Sequence, residues 1–152
     1  MKFLKLCMVV PLFVVLNFSN AYADDKEDVV AAVKDYVLGF YEGDAERLDR
    51  ALHPTLRKLG WYRDGGDKPY GGPYPMTKER ALSFAPRFGN SPDSPGSNGH
   101  LKVVVFEVLD KVASAKVEAS WGIDYIHLAK TDGKWMIYNV IWQSHPDGKE
   151  RR

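Results

Sequence analysis

The sequence predicts an α+β domain, with helices first and antiparallel strands last. Three observations carry this. Apolar residues recur at helical spacing between Asp25 and Leu52, and two strand pairs with short turns follow Leu101. Between them lie two Gly- and Pro-rich stretches that break regular structure. The 152 residues suit one core, and 45% apolar with 27% charged residues is an ordinary globular composition. Lys and Arg number 21 against 20 Asp and Glu, so no bulk charge draws the chain to nucleic acid or an anionic membrane.

Residues 1–23 read as a cleaved signal peptide. Lys2 and Lys5 make a basic start, Leu6 to Leu16 is apolar, and Ala21-Tyr22-Ala23 supplies the small residues of a cleavage site. The apolar run is too short to span about 30 Å of hydrocarbon. An exported protein is therefore expected, periplasmic or secreted and free of the membrane once processed. Cys7 is the only cysteine, so the processed chain has neither disulfide nor thiol chemistry. The domain is placed at 24–146, followed by a charged tail at 147–152.

The first helix is expected from Asp25 to Glu42, with Asp25 as its cap and Val29, Val33, Tyr36, Val37 and Phe40 as its apolar face. Gly43 ends it, and Asp44 caps a second helix that stops before Pro54. Leu56 to Tyr62 reads as a short strand. Arg63 to Pro75 and Ala85 to Gly99 read as loops, separated by a helix from Thr77 to about Phe84. Val103 to Leu109 and Val112 to Ala119 form a hairpin about Asp110-Lys111. This register puts Val104, Phe106 and Val108 on the face of Ala113, Ala115, Val117 and Ala119. Ile123 to Lys130 and Trp135 to Gln143 form a second hairpin about Asp132-Gly133. Pairing Lys130 with Trp135 groups Asp124 with Asn139, and His127 with Tyr138 and Trp142. The second hairpin is apolar on both faces, which predicts a homodimer that covers one of them.

The chain resembles the nuclear transport factor 2-like superfamily, and within it the bacterial putative lumazine-binding family. The likeness rests on Phe40-Tyr41-Glu42-Gly43-Asp44, Leu52-His53-Pro54, Met76-Thr77 and Lys111 to Glu118. It continues through Asp124 to Lys130, Asp132 to Trp135 and Asn139 to Trp142. The resemblance implies N-terminal helices packed as a cone on a curved antiparallel sheet. Superfamily members include isomerases, dehydratases, cyclases and dimerising adaptors, so no reaction follows from the fold alone.

The residues suggest a pocket between the first helix and the sheet, walled by Tyr36, Phe40 and Trp61, with Asp124 and Asn139 as polar groups. Asp124 and His127 are the catalytic candidates. A carboxylate between apolar walls suits a general base, and imidazole titrates near neutrality. The alternatives are that Asp124 braces the bend after Trp121-Gly122 and that His127 is hydrogen-bonded at a sheet face or dimer interface. His53 reads as a helix-end residue, and Arg57-Lys58 as a solvated pair, with contact to an anionic ligand as the alternative. Trp61, Tyr62, Tyr70 and Tyr74 line a pocket mouth or pack their loop. No phosphate-binding, dinucleotide, zinc-protease or nucleophile-elbow motif occurs, and the four histidines lack ligand spacing, so no cofactor or metal is expected. The favoured reading is an exported domain that binds a small apolar or aromatic molecule. A cofactor-independent isomerase or dehydratase and a dimerisation module are its rivals.

Overall fold

The computed structural model describes residues 18–151. The basic start and the apolar run of the expected signal peptide lie outside them. Three helices, α1 (Phe18–Tyr41), α2 (Ala45–Ala51) and α3 (Lys78–Gly89), pack on a six-stranded sheet. Its strands are β1 (Leu52–Tyr62), β2 (Gly71–Met76), β3 (Leu101–Val108), β4 (Val112–Ala119), β5 (Gly122–Thr131) and β6 (Lys134–Ser144). They lie in the order β2-β1-β6-β5-β4-β3. Helices on one face of a sheet whose last four strands form a meander make the expected α+β class.

The sheet is mixed, however, because β1 runs parallel to β6. The chain turns directly from α2 into β1 at Leu52, ahead of the expected strand. Pro54 is accommodated because pairing with β6 lapses between Leu52 and Arg57, where no ladder donor is required. Part of the expected loop before Pro75 is also a strand, β2. It occupies the sheet edge, where Pro73 and Pro75 are tolerated. Thr77 caps α3 as expected, accepting from the Arg80 amide, but the helix continues past Phe84 to Gly89 and contains Pro86.

Helix α1 begins before Asp25, so that residue is no N-cap. Its carboxylate instead accepts from Lys130 and from Trp135 Nε1. The predicted apolar face holds: Val29, Val33, Tyr36, Val37 and Phe40 are all buried in the core. Asp44 caps α2 through the Arg47 amide at 2.9 Å.

Two bulges correct the predicted strand faces. The β5–β6 turn is the expected one, with Asp132 (φ 49°) and Gly133 (φ 77°) between paired Thr131 and Lys134. Further on, the register slips: Leu128 pairs with Ile137 but His127 pairs with Asn139, leaving Tyr138 as the extra residue. Past the bulge every β6 side chain changes face relative to the simple pairing. The first hairpin does the same at Phe106, so Val103 and Val105 pair with Val117 and Ala115, while Phe106 is 56% exposed. Both bulges are consistent with the bend of the sheet around the helices.

Candidate functional site

The two sheet faces separate the residues expected to act together. Asp124 lies on the helix-facing, concave side and is fully buried. Asn139 lies on the convex side, where its Oδ1 is 3.2 Å from His127 Nδ1 and its amide donates to the Arg57 carbonyl at 3.0 Å. The Tyr138 bulge exchanges Asn139 for Trp142, which pairs directly across from Asp124. Trp61 also falls on the convex side, because Lys58, Gly60 and Tyr62 take the inward positions of β1. The expected pocket wall and polar pair are corrected on both points.

Asp124 anchors a sealed polar cluster. Its Oδ2 accepts from the Tyr36 hydroxyl at 2.6 Å and from Lys58 Nζ at 3.0 Å, and its Oδ1 accepts from Trp121 Nε1 at 2.8 Å. Lys58 Nζ donates as well to the Tyr36 oxygen. This ammonium lies 5.0 Å from the Trp142 ring centre and 5.7 Å from that of Trp121, within cation–π range of both indoles, and meets Tyr36 at its hydroxyl edge. Burial still pushes Lys58 below the ordinary lysine range, against the opposing pull of Asp124. Burial, reinforced by the Asp124 charge, raises the Tyr36 phenol well above its usual value, so Tyr36 remains a donor. Lys58 is thus no solvated residue. The signal was its place in the alternation Leu56-Lys58-Gly60, which the bulky neighbours Arg57 and Trp61 obscure.

A cavity of about 280 Å³ opens above this cluster. Phe40 of α1, Phe84 and Phe88 of α3 and Trp121 form one wall. Tyr62, Met76 and Trp142 form the other, with Lys58 as the single charged residue of the lining. Gly60 makes this wall possible: a Cβ there would stand 1.7 Å from Trp142 Nε1. Phe40 therefore lines the cavity as expected. Tyr36 and Asp124 sit behind Lys58, outside the lining. Phe84 and Phe88, one helical turn apart, were hidden in a stretch read as the end of a helix and a loop. The second catalytic candidate, His127, lines a separate depression on the convex face with Glu107, Ser114 and Tyr138. His53 follows α2 and stacks on Tyr138 at 3.8 Å. Among the described residues, no three His, Cys, Asp or Glu side chains converge on a metal position.

A helix-backed, bent sheet that closes over an apolar cavity is the nuclear transport factor 2-like fold, and solved structures share it. A protein of unknown function from Silicibacter pomeroyi DSS-3 superposes with TM-score 0.62 at 16% identity, covering 81% of this chain and 98% of that one. Another of unknown function, from Methylobacillus flagellatus KT, gives TM-score 0.59 at 26% identity over 80% and 93%. The putative scytalone dehydratase of Novosphingobium aromaticivorans DSM 12444 gives 0.60 at 9% identity over 84% and 88%. No curated protein is significantly similar to the chain. Residues 24–143 match the model of the family described as Putative lumazine-binding, and the chain belongs to that family.

Proposed function

We propose that the protein binds a flat, neutral, largely apolar molecule in the concave cavity, with an oxygen acceptor of the ligand on Lys58. The observation that carries this reading is the Lys58–Asp124 ion pair beneath aromatic walls. Lys58 has three donors and spends two, on Asp124 and Tyr36. Its charge is already matched by Asp124, so an anionic ligand would bring a second negative charge into a poorly solvated site. Binding is measurable as quenching of Trp121 and Trp142 fluorescence. 2-Naphthamide is expected to bind at least about tenfold more tightly than 2-naphthoate. Equal affinity, or preference for the acid, would refute the reading.

The same proposal places the protein outside the cytoplasm, on the strength of Lys2, Lys5, the apolar run and Ala21-Tyr22-Ala23. N-terminal sequencing of protein recovered from the cell envelope is expected to start at Asp24. A second copy is proposed to cover the convex face, where Phe106, Tyr125 and Ile141 are exposed. A cross-strand row runs there from Glu107 through Ser114, His127 and Asn139 to Arg57. A two-fold axis along the strands would set Glu107 of each copy over Arg57 of the other.

A further inference from the structure

We propose that Lys58 forms an imine with the carbonyl carbon of an aromatic aldehyde or ketone seated in the cavity, Asp124 taking and returning the proton. The inference rests on the cavity being a ligand site, as argued above, and goes beyond binding to a covalent step.

The placement of one amine supports it. Lys58 is 6% exposed and lines the apolar cavity floor with its stem, so bulk water hardly reaches its amine. To react, Nζ turns from the Tyr36 oxygen toward a ligand in the cavity. An amine must be neutral to attack, and here burial works against its charge. A receiver for the proton stands 3.0 Å away, Asp124 Oδ2, itself held by the Tyr36 hydroxyl and, through its other oxygen, by Trp121. The aromatic walls would stack on an aryl carbonyl and hold its carbon over Nζ.

The step balances without an outside redox partner. One ammonium proton of Lys58 passes to Asp124, giving a neutral amine and a neutral acid. The nitrogen lone pair forms the C–N bond as the carbonyl π pair moves to oxygen, which takes the Asp124 proton. The carbinolamine nitrogen then returns a proton to Asp124. As the C–O bond breaks, that proton leaves with the hydroxyl as water and the C=N bond closes. Carbonyl and ammonium become water and a protonated imine, paired with the Asp124 carboxylate. The Tyr36 hydroxyl, kept protonated, steadies the carboxylate throughout.

The test uses the whole protein near neutral pH with 2-naphthaldehyde as probe and cyanoborohydride to reduce any imine to a stable amine. The expected result is one naphthylmethyl group per chain by intact mass, mapped to Lys58 and suppressed by excess 2-naphthamide. Lys58→Arg keeps a cation beside Asp124 but removes the amine, and is expected to lose this label with its urea midpoint showing that the fold persists. Quenching of the parent protein by 2-naphthamide reports the binding site separately. Label spread over exposed lysines such as Lys26, Lys34 and Lys102, with Lys58 unmodified although 2-naphthamide binds, overturns the imine and leaves the binding site standing. If neither compound binds, the cavity reading fails and the imine falls with it.

Discussion

Asp124 and His127 stand three residues apart on β5, and each has polar partners on a neighbouring element, yet they occupy opposite physical worlds. Asp124 is sealed between α1 and the sheet, with Lys58, Tyr36 and Trp121 satisfying its oxygens. His127 is exposed on the convex side, with Asn139 as its partner. Similar side chains thus acquire different consequences from strand parity alone. In the concave cluster, a missing partner leaves a charge without solvent. On the convex face of the isolated subunit, water replaces whatever is removed. The concave cluster is coupled and costly to disturb, and it backs the cavity that a ligand would enter.

The comparison is tested most severely by cutting the ion pair. Asp124→Ala leaves Lys58 buried without a counter-charge and is expected to cost about 3–5 kcal/mol in urea unfolding. His127→Ala is expected to stay within about 0.5 kcal/mol of the parent. Replacing both partners, Lys58→Met with Asp124→Leu, is expected to recover much of the loss, because no unpaired charge remains. Similar losses for Asp124→Ala and His127→Ala would break the contrast.

Gly60→Ala probes the cavity wall rather than the charge. Its methyl group must displace the Trp142 indole, at an expected cost of about 1–3 kcal/mol from overpacking. Binding of 2-naphthamide is expected to weaken as well, since Trp142 would shift within the lining. A variant of unchanged stability and affinity would show that Trp142 has room the structure does not give it.

On the convex face the expected effect is on association and not on folding. Tyr125→Lys is expected to leave the unfolding midpoint of the isolated subunit unchanged, because Tyr125 is 52% exposed. Sedimentation at micromolar concentration should fall from dimer to monomer mass. A parent protein that already sediments as a monomer would remove the second copy from that face.

The fold was legible where pattern and chemistry agree. The α1 stripe, the Asp44 and Thr77 caps and the Asp132-Gly133 turn are all local, and each appears as read. The site was less legible, because its cross-strand pairing depends on a single-residue insertion. Nothing in Ile137-Tyr138-Asn139 announces a bulge, yet it decides whether Asn139 or Trp142 faces Asp124. The parallel partnership of β1 with β6 joins segments far apart in sequence, and no local signal encodes it. Lys58 was hidden for a related reason. A lysine is usually solvated, and its burial becomes visible only once Asp124 and Tyr36, contributed by two other elements, are brought beside it.

The smallest expected effect sharpens the comparison from a second carboxylate, Asp25, at the far end of α1. Hydrogen bonds from Lys130 first and Trp135 next hold its carboxyl below the ordinary value of 3.8. The sign follows from linkage. Between the folded value and 3.8 the unfolded chain binds more protons, so stability rises with pH through that window. Asp25's contribution is therefore present above pH 3.8 and lost as pH falls through the folded value. Asp25→Asn is expected to lower Tm by roughly 1–3 °C at neutral pH, an effect of the size expected for a screened pair. It should also shrink the Tm gap to the parent as the pH is taken below 3.8. Asp124→Ala, by contrast, is expected to show its deficit across the neutral range, since it strands a buried ammonium rather than an accessible one. Thermal melts of both variants from neutrality to acid would separate the two behaviours. A gap between parent and Asp25→Asn that stays constant through the acid limb would mean that the Lys130 and Trp135 contacts do not hold the Asp25 proton off in solution.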